Sequence, residues 1–341
     1  MALRTVAKVL TATLGVAALA AAGQLGVAYG LGIVRLTRIL DVTTRDQWTA
    51  QLAWVAWLAM TSAVVGAVVG VRLAPRRSYQ NLPANGVGIA IAVALAAGAG
   101  SALVVPLTMQ PARTAQIAGV HPVLVIGISA ALGAFAGVPA AVAALMVAVA
   151  RWSLLGVSVC VWAIALLSVA PSLAPDDPLP AVRLGVFDAG YLSPGVTQRT
   201  ALFTMPAVAL VAGASFGWLA RRQGRGTVTI ALAGLPGPAL LTMAYLIAGP
   251  GSGAAHYQVV PYWAAMTATG SGLLGSVLAA VVRRGEDADA PPPADTPPRA
   301  DTPPPADTPP PADTAAFGWT PDGVYRTSQT GSGVSTTSPS P

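Results

Sequence analysis

The chain has 341 residues, 54% of them hydrophobic and 9% charged, with 36 Gly, 30 Pro and a formal net charge of +6. Soluble domains carry roughly 25% charged residues, so this chain lacks the groups to cover a water-facing surface, which excludes a soluble enzyme. The single cysteine, Cys160, excludes an internal disulfide, and basic residues scattered singly and in pairs exclude a nucleic-acid interface.

Crossing a hydrocarbon core of about 30 Å takes about 20 apolar residues in helical form. Runs of that kind predict about eight spans. The first runs from Val9 to Val34, the second from Leu52 to Val71 and the third from Ala84 to Leu107. The stretch from Gln116 to Leu173 holds the fourth and fifth. The sixth covers Ala201 to Ala220, the seventh Thr227 to Ala248 and the eighth Pro261 to Val282. Trp48, Trp54, Trp152, Trp218, Tyr262 and Trp263 lie near run ends, where aromatic rings favour the headgroup region. The first run follows Arg4 and Lys8 and is too long for a secretory h-region of about 7–15 residues, so it reads as a retained anchor.

Basic residues in short loops set orientation. With the N-terminus inside, the inner side carries Arg4, Lys8, Arg72, Arg76, Arg77, Arg151, Arg221, Arg222, Arg225, Arg283 and Arg284. The outer side carries only Arg35, Arg38, Arg45, Arg113, Arg183 and Arg199. Both termini are therefore expected in the cytoplasm, beneath a plasma membrane whose anionic lipids suit the inner Arg-rich rim. Arg151 is an inner-rim anchor if the fourth helix ends near Ala148, which avoids the cost of an Arg at depth.

The even spans carry small residues four apart: Gly66 and Gly70, Gly133 and Gly137, Gly213 and Gly217, Ser271 and Gly275. Such pairs let helix backbones approach closely in lipid, within the bundle or at a homo-oligomer face. The third and seventh spans each hold an interruption, at Gly98, Gly100 and Ser101 and at Gly234, Pro236, Gly237 and Pro238. Two prolines within a turn remove two donors and clash with the preceding turn, so the seventh helix should break. Paired interrupted helices point to a midplane site in transporters, and here they suggest a parallel repeat of four plus four spans meeting near residues 140–150. Gln24 is expected to bond a neighbouring helix.

Catalytic chemistry is sparse. All thirteen carboxylates fall outside the predicted spans, which removes an intramembrane proton relay or acid/base pair. No phosphate loop, zinc spacing or cofactor motif occurs. Gly213-Ala214-Ser215-Phe216-Gly217 resembles the serine motif of rhomboid proteases, yet His121 and His256 lie at the opposite membrane face, on the order of 20 Å away. The two histidines stand shortly before Pro122 and Pro261, either as a metal or proton-sensing pair or as interfacial histidines bonded to water.

After Arg284 the composition changes. Residues 291–314 are four copies of a Pro-Pro-Pro-Ala-Asp-Thr unit, with Arg299 replacing one proline, and residues 285–341 read as a disordered, polyproline-like tail. Phe317, Trp319 and Tyr325 beyond it are candidate docking residues for a cytoplasmic protein. In composition and layout the chain resembles the uncharacterised multi-pass membrane proteins of high-GC actinobacteria. The expectation is an all-α polytopic transmembrane bundle over residues 1–284, non-enzymatic, that organises membrane or recruits partners. A permease for a neutral or weakly polar solute, using the interrupted third and seventh helices, is the rival; an intramembrane enzyme comes third.

Overall fold

The computed structural model describes residues 2–42, 44–73, 86–170, 182–188, 193–251 and 257–288, with side chains up to residue 281. The contacts divide the chain into Met1–Ala290 and Pro291–Pro341. The proline repeats, Phe317, Trp319, Tyr325, His256, Arg76 and Arg77 all lie outside the described residues.

Long apolar runs, with their backbone groups bonded internally, fold as helices, the form a bilayer accepts. The elements are α1 Ala2–Gly30, β1 Ile39–Leu40, α2 Asp46–Leu73, α3 Gly86–Ser101, α4 Val104–Ala112, β2 Gln116–Ile117 and α5 Pro122–Met146. There follow α6 Ala148–Val169, α7 Pro194–Arg222, α8 Thr227–Ala231, α9 Pro236–Ala248 and α10 Val259–Ala288. The protein is an all-α polytopic membrane bundle. Its one sheet among the described residues is a parallel two-residue pairing, Ile39 with Gln116 and Leu40 with Ile117.

Among the described residues, seven helical stretches are long and apolar enough to cross a membrane, with α3 and α4 together forming one of them. Eight long helices were expected. The seventh run instead splits into the five-residue α8 and the thirteen-residue α9, because Pro236 and Pro238 cannot continue a helix from α8.

Glycine contacts fix the relative direction of the helices. Gly133 lies against Ala56 and Gly137 against Met60 and Ala63, so α2 and α5 run parallel. Gly213 lies against Gly272 and Gly217 against Ser276, so α7 and α10 also run parallel. These are the two most extensive interfaces in the molecule. Parallel helices joined by one connection need the chain to return between them. Through α8 and α9 it does so, as it does through α3 and α4.

One end of the bundle gathers Val9, Ala67, Val93 and Ala141, with Val71 and Leu145 packed on them, and Val149, Ala220, Ile230 and Ala280 form a second cluster there. Leu145 and Val149 flank the sharp turn at Val147, whose extended φ of −120° separates α5 from α6. Arg72, Arg151, Arg221 and Arg222 therefore share one rim. Arg151 stands in the first turn of α6, the rim position expected for it.

Helix α2 is buried along nearly its whole length and forms the axis of the molecule, whereas α7 is exposed over most of its own. Trp48 and Trp54 accordingly face the core near the start of α2, with 2% and 0% of their surface exposed, and do not face lipid. Trp54, Trp57 and Trp162 form a trio with ring centroids 5.7–6.2 Å apart. Trp152, Trp218 and Trp263 are exposed, as interfacial rings should be.

Candidate functional site

The two interruptions are the sequence feature closest to a site. In the first half the break falls at Ala102–Leu103, immediately after the Gly98–Ser101 segment. Pro106 places it: proline lacks an N–H and crowds the carbonyl four residues back, which is Ala102. Ser101 bonds locally instead, donating its hydroxyl to the Gly98 carbonyl at 2.9 Å. A Cβ on Gly98 would lie 2.6 Å from Val138, and one on Gly100 would strike Ala17 and the Leu14 carbonyl. This break is filled by α1 and α5.

The second break spans Leu232–Leu235, with Pro236 opening α9. Interrupting a helix strips backbone groups of partners, and in hydrocarbon each orphan costs several kcal/mol. Serines from neighbouring helices replace them. The Ser153 hydroxyl of α6 accepts the Gly237 N–H at 3.1 Å, and Ser276 of α10 donates to the Ala231 carbonyl at 2.5 Å. Gly213, Gly234 and Gly272 converge beside this break so closely that a Cβ on any of them would collide with a neighbouring backbone. Pro238 packs on Gly272, where an added Cβ would lie 3.0 Å from its ring. The nearest neighbours of Gly98 and Gly100 come from α1 and α5, whereas those of Gly234 and Gly237 come from α6, α7 and α10.

The other even-span residues also lie at helix crossings. Gly66 faces Ala17, Gly70 faces Thr13, and Gly275 faces the Leu210 carbonyl. Ser271 is half-buried, and the close approach on α10 is made one residue along, by Gly272 with Gly275 and Ser276. Gln24 bridges α1 to α2, donating to Ser62 at 3.1 Å and accepting from Thr61 at 3.0 Å.

Beside Pro236 lies an apolar crevice of about 210 Å³, lined by Ala136, Ala140, Ala143, Leu154, Pro236, Ala239, Leu240 and Met243. Among the described residues, no polar side chain lines it. Ser215 sits on an exposed face of α7 and donates to the Val211 carbonyl at 2.8 Å, an ordinary intrahelical bond. His121 is exposed at the start of α5. Among the described residues no group of three His, Cys, Asp or Glu could hold a metal ion.

One arrangement escaped the sequence reading. Residues Val182–Asp188 return into the bundle at the end opposite Arg72 and Arg221, with Val182, Leu184 and Val186 buried. Trp54 Nε1 donates to the Val182 carbonyl at 3.0 Å, the Tyr245 hydroxyl to that of Leu184 at 2.6 Å, and Thr200 to that of Phe187 at 3.0 Å. Arg183 pairs with Asp188 at 3.0 Å, and its guanidinium lies 4.8 Å from the Tyr257 ring centre. Burial raises the Tyr257 phenol above its usual range, with Arg183 opposing, so it stays protonated. Gly185, at φ +69°, makes the turn that lets this loop enter. The alternation Val182-Arg183-Leu184-Gly185-Val186 was the available signal, but five residues of it look like any loop.

No family model matches the chain, and neither a curated protein nor a solved structure matches it.

Proposed function

We propose that this protein is a non-enzymatic organiser of the cell membrane, threaded eight times with both termini in the cytoplasm, that recruits a partner through its proline-rich tail. The observation that carries the proposal is the sealing of both helix breaks. Ser153 and Ser276 satisfy the backbone groups that a transported solute would otherwise meet, and the crevice beside Pro236 is apolar. A permease builds its site from unwound backbone that lines a cavity, so a packed break argues for a structural role.

The orientation rests on the rim that gathers Arg72, Arg151, Arg221 and Arg222, which faces anionic lipid on the cytoplasmic side. Arg222 there lies 3.6 Å above the Trp218 ring, a cation held at the headgroup level. The sequence that follows α10 carries the proline repeats and then Phe317, Trp319 and Tyr325, the candidate docking residues. Deleting residues 285–341 should abolish the crosslinked cytoplasmic partners while the bundle still inserts. An unchanged set of partners would refute the recruiting role, and solute uptake that fell on replacing Pro236 and Pro238 by Ala would favour the permease.

A further inference from the structure

Parallel α7 and α10 place their N-terminal ends side by side, at the end of the bundle opposite Arg221 and Arg222. Between them opens a crevice of about 500 Å³, lined by Gly195, Arg199 and Leu202 of α7 and by Val259, Val260 and Trp263 of α10, with Gln198 at its side. Three features of this crevice favour a negative charge. Arg199 is exposed there and forms no ion pair among the described residues. Helix α7 begins there with no acidic residue in its first turn, and, although Pro194 has no N–H and Val196 and Thr197 donate to the Ser193 carbonyl, the positive end of its dipole faces the crevice. The first turn of α10 contributes a second positive helix end from Val259 and Val260.

The rest of the crevice is greasy. Leu202 and Trp263 are 42% and 59% exposed, and Phe203 next to Leu202 is 62% exposed, so the apolar wall continues along α7. Trp263 is braced edge-on by Tyr262, ring centres 5.6 Å apart, as in an interfacial aromatic belt. A free anion would gain nothing from these walls, whereas an amphiphile uses both parts.

We propose that this crevice holds an anionic glycerophospholipid of the leaflet opposite the Arg-rich rim. Its phosphate sits at Arg199 and the two helix ends, and its acyl chains run along Leu202 and Trp263. This site is distinct from the rim and independent of the recruiting role.

The test is lipid titration of the full chain, purified in detergent, followed by intact-complex mass spectrometry. The wild type should retain one phosphatidylglycerol in preference to phosphatidylcholine. Arg199→Gln should weaken that site about fivefold, the effect of one cation at an anionic headgroup. Arg199→Lys should keep it, Trp263→Ala should weaken it, and Arg113→Gln, an exposed cation elsewhere at that end, should leave it unchanged. Equal retention by Arg199→Gln, equal retention of phosphatidylcholine, or displacement by inorganic phosphate would each overturn the proposal.

Discussion

Replacing Gly272 by Ala tests whether backbone contact holds the second half of the bundle together. An ideal Cβ there lies 2.5 Å from the Gly234 carbonyl oxygen and 3.0 Å from the Pro238 ring. Carbon–oxygen contacts at close helix crossings sit at about 3.3–3.6 Å, so α10 must retreat from the break by about 1 Å. Overpacking of this kind costs about 1–3 kcal/mol. The same retreat stretches the Ser276–Ala231 bond of 2.5 Å and the Thr242–Thr269 bond of 2.7 Å. Alanine's helix preference over glycine returns about 0.5–1 kcal/mol. Gly270, two residues earlier on the same helix, has nothing within 4 Å of an added Cβ, so Gly270→Ala collects only the favourable part. The helix-preference gain is common to both, so the two variants should separate by about 1–3 kcal/mol with Gly272→Ala the less stable, read as thermal unfolding of the purified protein in one detergent. Equal stability of Gly272→Ala and Gly270→Ala would refute the close crossing.

Three further outcomes follow from the same geometry. Ser153→Ala orphans the Gly237 N–H and should destabilise by about 1–3 kcal/mol, with Ser153→Thr recovering part of the loss in the same unfolding assay. Trp54→Phe removes the donor to Val182, so hydrogen exchange in Val182–Asp188 should quicken, while Trp152→Phe, at an exposed ring, should leave it unchanged. Arg183→Met leaves Asp188 without its partner in a largely buried site and should cost about 3 kcal/mol, whereas adding Asp188→Leu should recover much of it.

The sequence carried the spans because length and charge scarcity are properties of whole segments, insensitive to register. It carried the second break because Pro236 and Pro238 act locally, and it carried Gln24 because an amide in hydrocarbon needs a partner. Register was harder. Ser271 and Gly272 differ by one residue, or 100° around a helix, and the small residues of α10 fit either face. The third-span break begins just past Ser101, where Pro106 crowds the Ala102 carbonyl, so its position follows the proline and not the glycines. Whether Trp54 faces lipid or the core is not legible in one chain, because nothing there says that α2 is surrounded by the other helices. Ser153 and Ser276 were invisible as caps, since each meets the break only through tertiary packing across 84 and 45 residues.

Whether the breaks are sealed or line a passage is decided by water access. Single cysteines replacing Ser101 and Ala233, buried at 0% and 2% exposure, can be placed in a Cys160→Ala background and probed in vesicles with a membrane-impermeant maleimide. The account predicts no labelling of either position from either face, against full labelling of a cysteine at exposed Arg113 from one face and of both sites after denaturation. Labelling of Ser101→Cys or Ala233→Cys in the native protein would mean that water reaches the midplane and would contradict the sealed bundle.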